Sequence, residues 1–396
     1  MSVTPACLKG ATTVATRSNL AFGVLGPLQM RVGDTEVPLG TPKQRAVLGM
    51  LVINRNRPVS IESLLGAAWD QWPPAGARAT LHSYVSNLRR LIGADARTVL
   101  VSAPPGYRLN AREIDCDIGR FVMEKNAGMH AAAESRFEDA SRHLAAALAE
   151  WRGPVLEDLR GFHFVDAFAT ALAEDKNLAH SARVEAEIAC GREYAVIGEL
   201  EMLTAEHPYH EPLWGQLITA YYLSERQSEA LDAFSRLKAI LADDLGVDPG
   251  PMVCELQARI LRQEHLDVKK AAMRTAGHAV TSMQLRTVGD PESAAALLRD
   301  ASGRSYPLRA AATTIGRLAS NDIVVDEPSV SRHHAVVIDT GTNFVISDLR
   351  SANGVWLRQQ RIRGSATLAD GDQIGISGHQ FTFHIGPPDT ELPGSA

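Results

Sequence analysis

The chain has 396 residues, 45% of them hydrophobic and 22% charged, with a formal net charge of −6, enough length for two to four domains that each bury a core. No apolar run approaches the roughly 20 residues that span a bilayer, and the first twenty, MSVTPACLKGATTVATRSNL, lack the apolar stretch of a signal peptide; membrane insertion is not expected, and residues 1–20 read as a disordered tail. Four scattered cysteines (Cys7, Cys116, Cys190, Cys254) make no CxxC pair, which argues against a disulfide framework or a zinc site and for a reducing cytoplasm.

The charge is unevenly spread. Residues 71–112 hold six arginines against one acid, whereas residues 117–264 hold 26 acids against 14 basic residues. A basic segment joined to an acidic body directs attention to nucleic acid at the basic end. The first region, residues 21–115, opens with FGVLGPLQMRVGDTEVPLG, whose alternation around a Gly-Asp turn predicts short strands. TPKQRAVLGMLVINRNRP predicts a helix with Thr41 as N-cap and Pro42 at its first position. SIESLLGAAWDQW predicts a second helix opened by Ser60 and closed by Pro73-Pro74. ARATLHSYVSNLRRLIG predicts a third, with Leu81, Val85, Leu88, Leu91 and Ile92 on one stripe. TVLVSAPPGYRL closes the region as strand, turn and strand.

This arrangement resembles an OmpR-type winged helix-turn-helix domain, in the form carried by the Streptomyces antibiotic regulatory protein family. The residues that carry the resemblance are LGPLQ, TPKQRAVLGML, RATLHSYVSNLRRLIG and PPGYRL. It implies double-stranded promoter DNA as partner, read by the third helix. The face opposite the apolar stripe presents Arg78, Ala79, His82, Ser83, Ser86, Asn87 and Arg90, with Arg89 beside them. Small, polar and basic residues on a helix about 10–12 Å wide suit a major groove. The hairpin at Pro104-Pro105-Gly106 would form the wing and bring Arg108 to the phosphates or minor groove. Taken alone, NLRRL is equally well a solvated helix face.

The second region, residues 116–263, reads as all-helical. LWGQLITAYYLSERQSEALDAF resembles a tetratricopeptide repeat, and DDLGVDPGPMVCELQARIL resembles the end of the bacterial transcriptional activator domain, which follows the winged helix in the same family. The resemblance implies a surface for RNA polymerase, or for dimerisation on DNA; a plain structural block is the alternative. Trp214, Tyr221 and Tyr222 are expected in the core. Residues 264–283, with HLDVKKAAMRTAGHAVTS, show no lasting periodicity and read as a linker.

The third region, residues 284–388, is β-rich: DIVVD, HAVVIDTGTNFVISDL, GVWLR and DGDQIGISGHQFTFHI alternate between Gly, Asn and Asp turns, the pattern of an antiparallel sandwich. Residues 389–396 read as a tail. Three signatures lie in its loops: Gly316-Arg317, then Ser331-Arg332-His333-His334, then Asn353-Gly354. Their order and spacing resemble the forkhead-associated (FHA) domain, a phosphothreonine reader. A phosphate carries nearly two negative charges and three acceptor oxygens, so it calls for fixed donors and a guanidinium. The match implies that Arg317, Ser331 and Asn353 contact the phosphopeptide, together with Arg332 and Ser351. Gly316, His334 and Gly354 would shape and brace the loops. A metal site at His333-His334 is disfavoured, since neighbours on a strand point to opposite faces and no further ligand stands at metal spacing.

No phosphate loop, GxSxG elbow, HExxH or kinase HRD/DFG series occurs, so neither an enzyme nor a cofactor is expected. The expected architecture is therefore a multidomain α+β chain: winged helix, tetratricopeptide-like activator domain and all-β FHA sandwich. The resemblance implies a DNA-binding regulator of the activator type that docks on a phosphothreonine of a Ser/Thr protein kinase. A phosphothreonine-dependent adaptor or kinase inhibitor, with little transcriptional action, is the alternative.

Overall fold

In the computed structural model, residues 20–287 except 71, then 296–308, 312–319, 321–340, 343–362 and 364–386 are described. Apart from Leu20, both expected tails fall outside them. The N-terminal region opens with a three-stranded sheet of β1 (Leu20–Gly23), β2 (Gln29–Val32) and β3 (Thr35–Glu36). Helix α1 (Pro42–Ile53) starts where Thr41 Oγ1 accepts the Gln44 N–H at 3.3 Å. After β4 (Val59–Ser60), Ser60 Oγ caps α2 (Ile61–Trp69) by accepting the Ser63 N–H at 2.9 Å. These are the caps read from the sequence, and each satisfies an amide that the helix leaves open.

Helix α3 (Ala77–Ile92) buries Leu81, Val85, Leu88 and Ile92 and leaves its other face in solvent. A short helix α4 (Ala96–Val99) leads into β5 (Leu100–Ala103) and β6 (Gly106–Leu109), the antiparallel wing, with β4 on its far edge. Gly106 is required there, because a Cβ would run into the Val59 carbonyl.

Helices α5 (Asp117–Ala133), α6 (Phe137–Ala149) and α7 (His163–Ala189) pack directly on this domain. Asp117, buried at the head of α5, accepts the N–H groups of Val24 and Leu25 at 2.9 Å and pairs with Arg152 at 3.0 Å. Phe22, Leu25 and Leu48 share one apolar cluster with Phe121, Leu156 and Phe168. Residue 116 is thus a change of secondary structure and not a break in the core.

A second core joins α8 (Glu193–Glu206), α9 (Glu211–Leu223), α10 (Gln227–Leu245) and α11 (Pro251–Leu261), with Trp214, Tyr221, Ala230 and Phe234 buried in it and Tyr222 packed at its edge. The expected linker at 264–283 is corrected. Its greater part is helix α12 (Val268–Thr287), which packs on α5 and α7 and buries Ala272, Ala276 and Val280. The boundary at 284 falls inside this helix.

The C-terminal sandwich has a five-stranded sheet in the order β10-β9-β11-β12-β15 and a six-stranded sheet in the order β14-β13-β16-β17-β7-β8. Its strands are β7 (Ala296–Asp300), β8 (Ser305–Pro307), β9 (Ala312–Gly316), β10 (Ile323–Val324), β11 (Ala335–Asp339), β12 (Phe344–Asp348), β13 (Val355–Leu357), β14 (Gln360–Arg361), β15 (Ser365–Leu368), β16 (Gln373–Ile376) and β17 (His379–Ile385). Strand β11 is buried on both faces. Val337 points into the sandwich core, while Val336 and Ile338 join the first cluster, where β11, β12 and β15 lie against α7. Beneath that contact Lys125 Nζ pairs with Asp175 at 2.8 Å, both side chains at most 1% exposed, and the Asn343 amide donates to Asp175 at 3.3 Å.

Candidate functional site

Three loops of the sandwich meet: β9–β10 with Arg317, β10–β11 with Ser331 to His334, and β12–β13 with Ser351 to Gly354. Backbone bonds lock the first two together. The Arg317 N–H donates to Ser331 O at 3.0 Å and the Leu318 N–H to Arg332 O at 3.2 Å. Gly316 permits this approach, since a Cβ would collide with the Arg332 carbonyl. His334 is wholly buried. Its Nδ1 accepts the Ser331 N–H at 3.1 Å, so Nε2 carries the proton and meets Gly354 O at 3.1 Å. One imidazole therefore ties the second loop to the third.

On this frame Arg317 is exposed and its Nε reaches Val330 O at 3.3 Å; Arg332 is exposed as well. Neither has an acidic partner among the described residues. Ser331 Oγ is part-exposed and accepts the Ala352 N–H at 3.1 Å. Asn353 is exposed, with its amide donating to Ser329 O at 2.7 Å. These four stand on loops that are hydrogen-bonded to one another, with the Arg332 side chain turned to the Trp72 ring. Ser351 is set back from them: it is buried, and its Oγ accepts the Gly354 N–H at 2.9 Å, which fixes the turn that carries Asn353.

Sequence reasoning missed three residues here. Asn321, nearly buried, donates to Leu318 O at 2.8 Å and Arg332 O at 2.7 Å, and its Oδ1 meets His333 Nδ1 at 2.9 Å. That gives His333 a part in the frame. Ser377 Oγ donates to Ser329 O at 2.8 Å beside Asn353. Trp72, from the α2–α3 loop, lies under the Arg332 guanidinium. Among the described residues no cluster of His, Cys, Asp and Glu could hold a metal ion.

At the other end, α3 exposes Arg78, Ala79, His82, Ser83, Ser86, Asn87 and Arg90, the face expected from its periodicity. Arg78 pairs with Glu62 at 2.7 Å, and His82 Nδ1 meets the Tyr107 hydroxyl at 2.7 Å, which links helix and wing. Arg89 stands apart from this face. Its Nε donates to Leu100 O at 2.9 Å, Nη2 to Ser102 Oγ at 3.2 Å, and its guanidinium lies 5.6 Å from the Tyr107 ring centroid. It fastens α3 to the wing. Arg108 is half-buried on β6, with its Nε enclosed and unbonded.

Comparison with known proteins fits this layout domain by domain. The description "Transcriptional regulatory protein, C terminal" matches residues 34–109, "Bacterial transcriptional activator domain" matches 116–261, and "FHA domain" matches 313–377. The transcriptional regulatory protein EmbR of Mycobacterium tuberculosis is 64% identical over 96% of this chain and 98% of its own length. The chain belongs to the EmbR family of transcriptional regulators. Regulatory protein DnrI of Streptomyces peucetius is 32% identical, covering 62% of this chain and 93% of that protein. The solved structure of M. tuberculosis EmbR in complex with a low-affinity phosphopeptide superimposes with a TM-score of 0.90 at 63% identity, over 94% of this chain and 100% of that one.

The helical domain adds a cavity of about 600 Å³ between α7, α9, α11 and α12, lined by Glu185, Gln216, Met252, Leu256 and Arg274 among others. Burial pushes the Glu185 carboxyl up to about 7, against hydrogen bonds from Gln216 and Thr275 that pull the other way. Among the described residues no helix is long and apolar enough to cross a membrane.

Proposed function

We propose that this regulator acts in the cytoplasm, binds promoter DNA through α3 and the β5–β6 wing, and docks through its sandwich loops on a phosphothreonine of an activated Ser/Thr protein kinase. The observation that carries the reading is the pair of hydrogen-bonded loops that bears Arg317 and Arg332, both exposed and, among the described residues, without an acidic partner. Two such cations beside the Ser331 hydroxyl form a site for a doubly charged, tridentate acceptor. Asn353 keeps its Oδ1 for a peptide N–H. A relative solved in complex with a phosphopeptide supports the phosphopeptide part of the reading.

On the DNA side, Arg90, Asn87, Ser86 and Ser83 face the major groove and Arg78 and Arg108 reach the backbone. The helical domain contacts RNA polymerase or a second copy on DNA; exposed Tyr194, Met202, Met252 and Leu261 are side chains available for it. The test is Arg317→Ala in the full chain, titrated with a phosphothreonine peptide and with promoter DNA. Loss of a charged hydrogen-bond donor predicts about ten- to hundredfold weaker peptide binding, with DNA affinity unchanged. Promoter affinity falls steeply with salt as counterions are released. A flat salt response, or phosphopeptide binding indifferent to Arg317, overturns the proposal.

A further inference from the structure

The Arg332 guanidinium lies 5.1 Å from the ring centroid of Trp72, which is 75% exposed and belongs to the other end of the chain's functional layout. Trp72 sits in the loop between α2 and α3, five residues before Ala77. Its N–H donates to Trp69 O at 3.3 Å, and the Trp69 ring stacks on Tyr84 of α3 at 5.9 Å and 13°. The contact thus runs from a phosphate-reading arginine to the support of the DNA-facing helix.

The backbone of Arg332 has no freedom to take part in any exchange. Its carbonyl is held by the Leu318 N–H and the Asn321 amide, and the next residue but one, His334, is locked in the core. Only the side chain can choose. A guanidinium stacked on an exposed indole is held by a modest attraction, and a phosphate offers charge-assisted hydrogen bonds that are stronger.

We propose that Trp72 and the bound phosphate compete for Arg332, so that docking of a phosphothreonine unclasps the α2–α3 loop from the sandwich. The clasp is a device of the unoccupied protein, and Trp72 is a positioning residue that withholds one of the two site arginines. The inference rests on the phosphothreonine reading of the loops.

Trp72→Ala in the full chain is titrated with the phosphothreonine peptide beside wild type, Trp72→Phe, Arg332→Ala and the double variant. Removing the competitor tightens peptide binding by about two- to fivefold, the factor expected of an exposed cation–π contact. Trp72→Phe, which keeps a ring, stays close to wild type. In the Arg332→Ala background Trp72→Ala has no further effect, the signature of a direct pair. Amide exchange in residues 72–77 rises on peptide binding in wild type and is insensitive to peptide in Trp72→Ala. Unchanged or weakened peptide binding by Trp72→Ala, or exchange at 72–77 that ignores the peptide, overturns the clasp. Arg317→Ala separates the two levels. If it leaves peptide binding intact the phosphothreonine reading fails; if it abolishes binding while Trp72→Ala changes nothing, only the clasp fails.

Discussion

His334 is the side chain on which the candidate phosphate site depends without touching the phosphate, and its removal is the sharpest test of the loop frame. It has no exposed surface and uses both ring nitrogens on backbone groups, Ser331 N–H at 3.1 Å and Gly354 O at 3.1 Å. Substitution His334→Phe keeps a ring of similar bulk and abandons both bonds. Each stranded buried group costs about 1–3 kcal/mol, so the pair sets a loss of about 2–6 kcal/mol. His334→Ala leaves the same two groups stranded and opens a cavity as well, which water enters only as far as those two polar groups can hold it. The affinity consequence follows from geometry. Ser331 and the Asn353 turn are no longer held in register, and phosphopeptide binding falls more than tenfold in both variants. Thermal unfolding of the full chain and peptide titration measure the two effects. A His334→Phe protein within about 1 kcal/mol of wild type, or one that binds phosphopeptide normally, would refute the brace.

Two further predictions separate neighbours that look alike in the sequence. Arg89→Ala, which breaks the tie to Leu100 O and Ser102 Oγ, lowers stability by about 1–2 kcal/mol and leaves the salt dependence of DNA binding unaltered. Arg90→Ala leaves stability unchanged and weakens promoter binding by about 1–3 kcal/mol, as expected for one lost base contact; identical behaviour of the two variants contradicts the assignment. In the helical core, Lys125→Met strands the buried Asp175 carboxylate and costs about 3–5 kcal/mol, whereas Lys125→Met with Asp175→Leu recovers most of that loss. Calorimetric unfolding checks both, and a double variant as unstable as the single one argues against an uncompensated charge as the cause.

What could be read from the sequence is what short-range chemistry controls. Thr41, Pro42 and Ser60 announce helix starts because capping involves residues two or three apart, and the α3 stripe is legible because one face must be apolar throughout. The three loops are legible as one neighbourhood through their spacing, and backbone and side-chain bonds do join the segments of Arg317, Ser331 and Asn353. Failures came where a distant partner decides. Helix α12 buries Ala272, Ala276 and Val280 at a four-residue spacing, yet alanines among Lys269, Lys270 and Arg274 carry too weak a contrast to register as a stripe. Arg89 and Arg90 are adjacent, but about 100° of helix turn sends one to the wing and the other to solvent. Ser351 is a local miss: the Gly354 N–H three residues on bonds its hydroxyl, a turn contact. The meeting of Arg332 with Trp72 joins residues 260 positions apart, which no local pattern encodes.

The helical state of 268–287 changes how a signal can travel through this regulator. A flexible tether would let the phosphate reader and the DNA reader act independently, with linker length alone setting their effective concentration. Here α12 packs on α5 and α7, and β11 gives Val336 and Ile338 to the same cluster that holds Phe22 and Leu48. Asp117 stitches α5 to the N-terminal strand, and Asn343 reaches from the sandwich to Asp175 in the helical core. With the bodies joined through buried side chains, an event at the sandwich loops reaches α3 only by breaking or remaking specific contacts. Most of these lie in the dry core and cost too much to break for a single docked phosphate. The Arg332–Trp72 contact is exposed, as is the Arg350–Asp166 pair, but only the first is made by an arginine proposed to meet the phosphate, so under that proposal it is the joint that yields first.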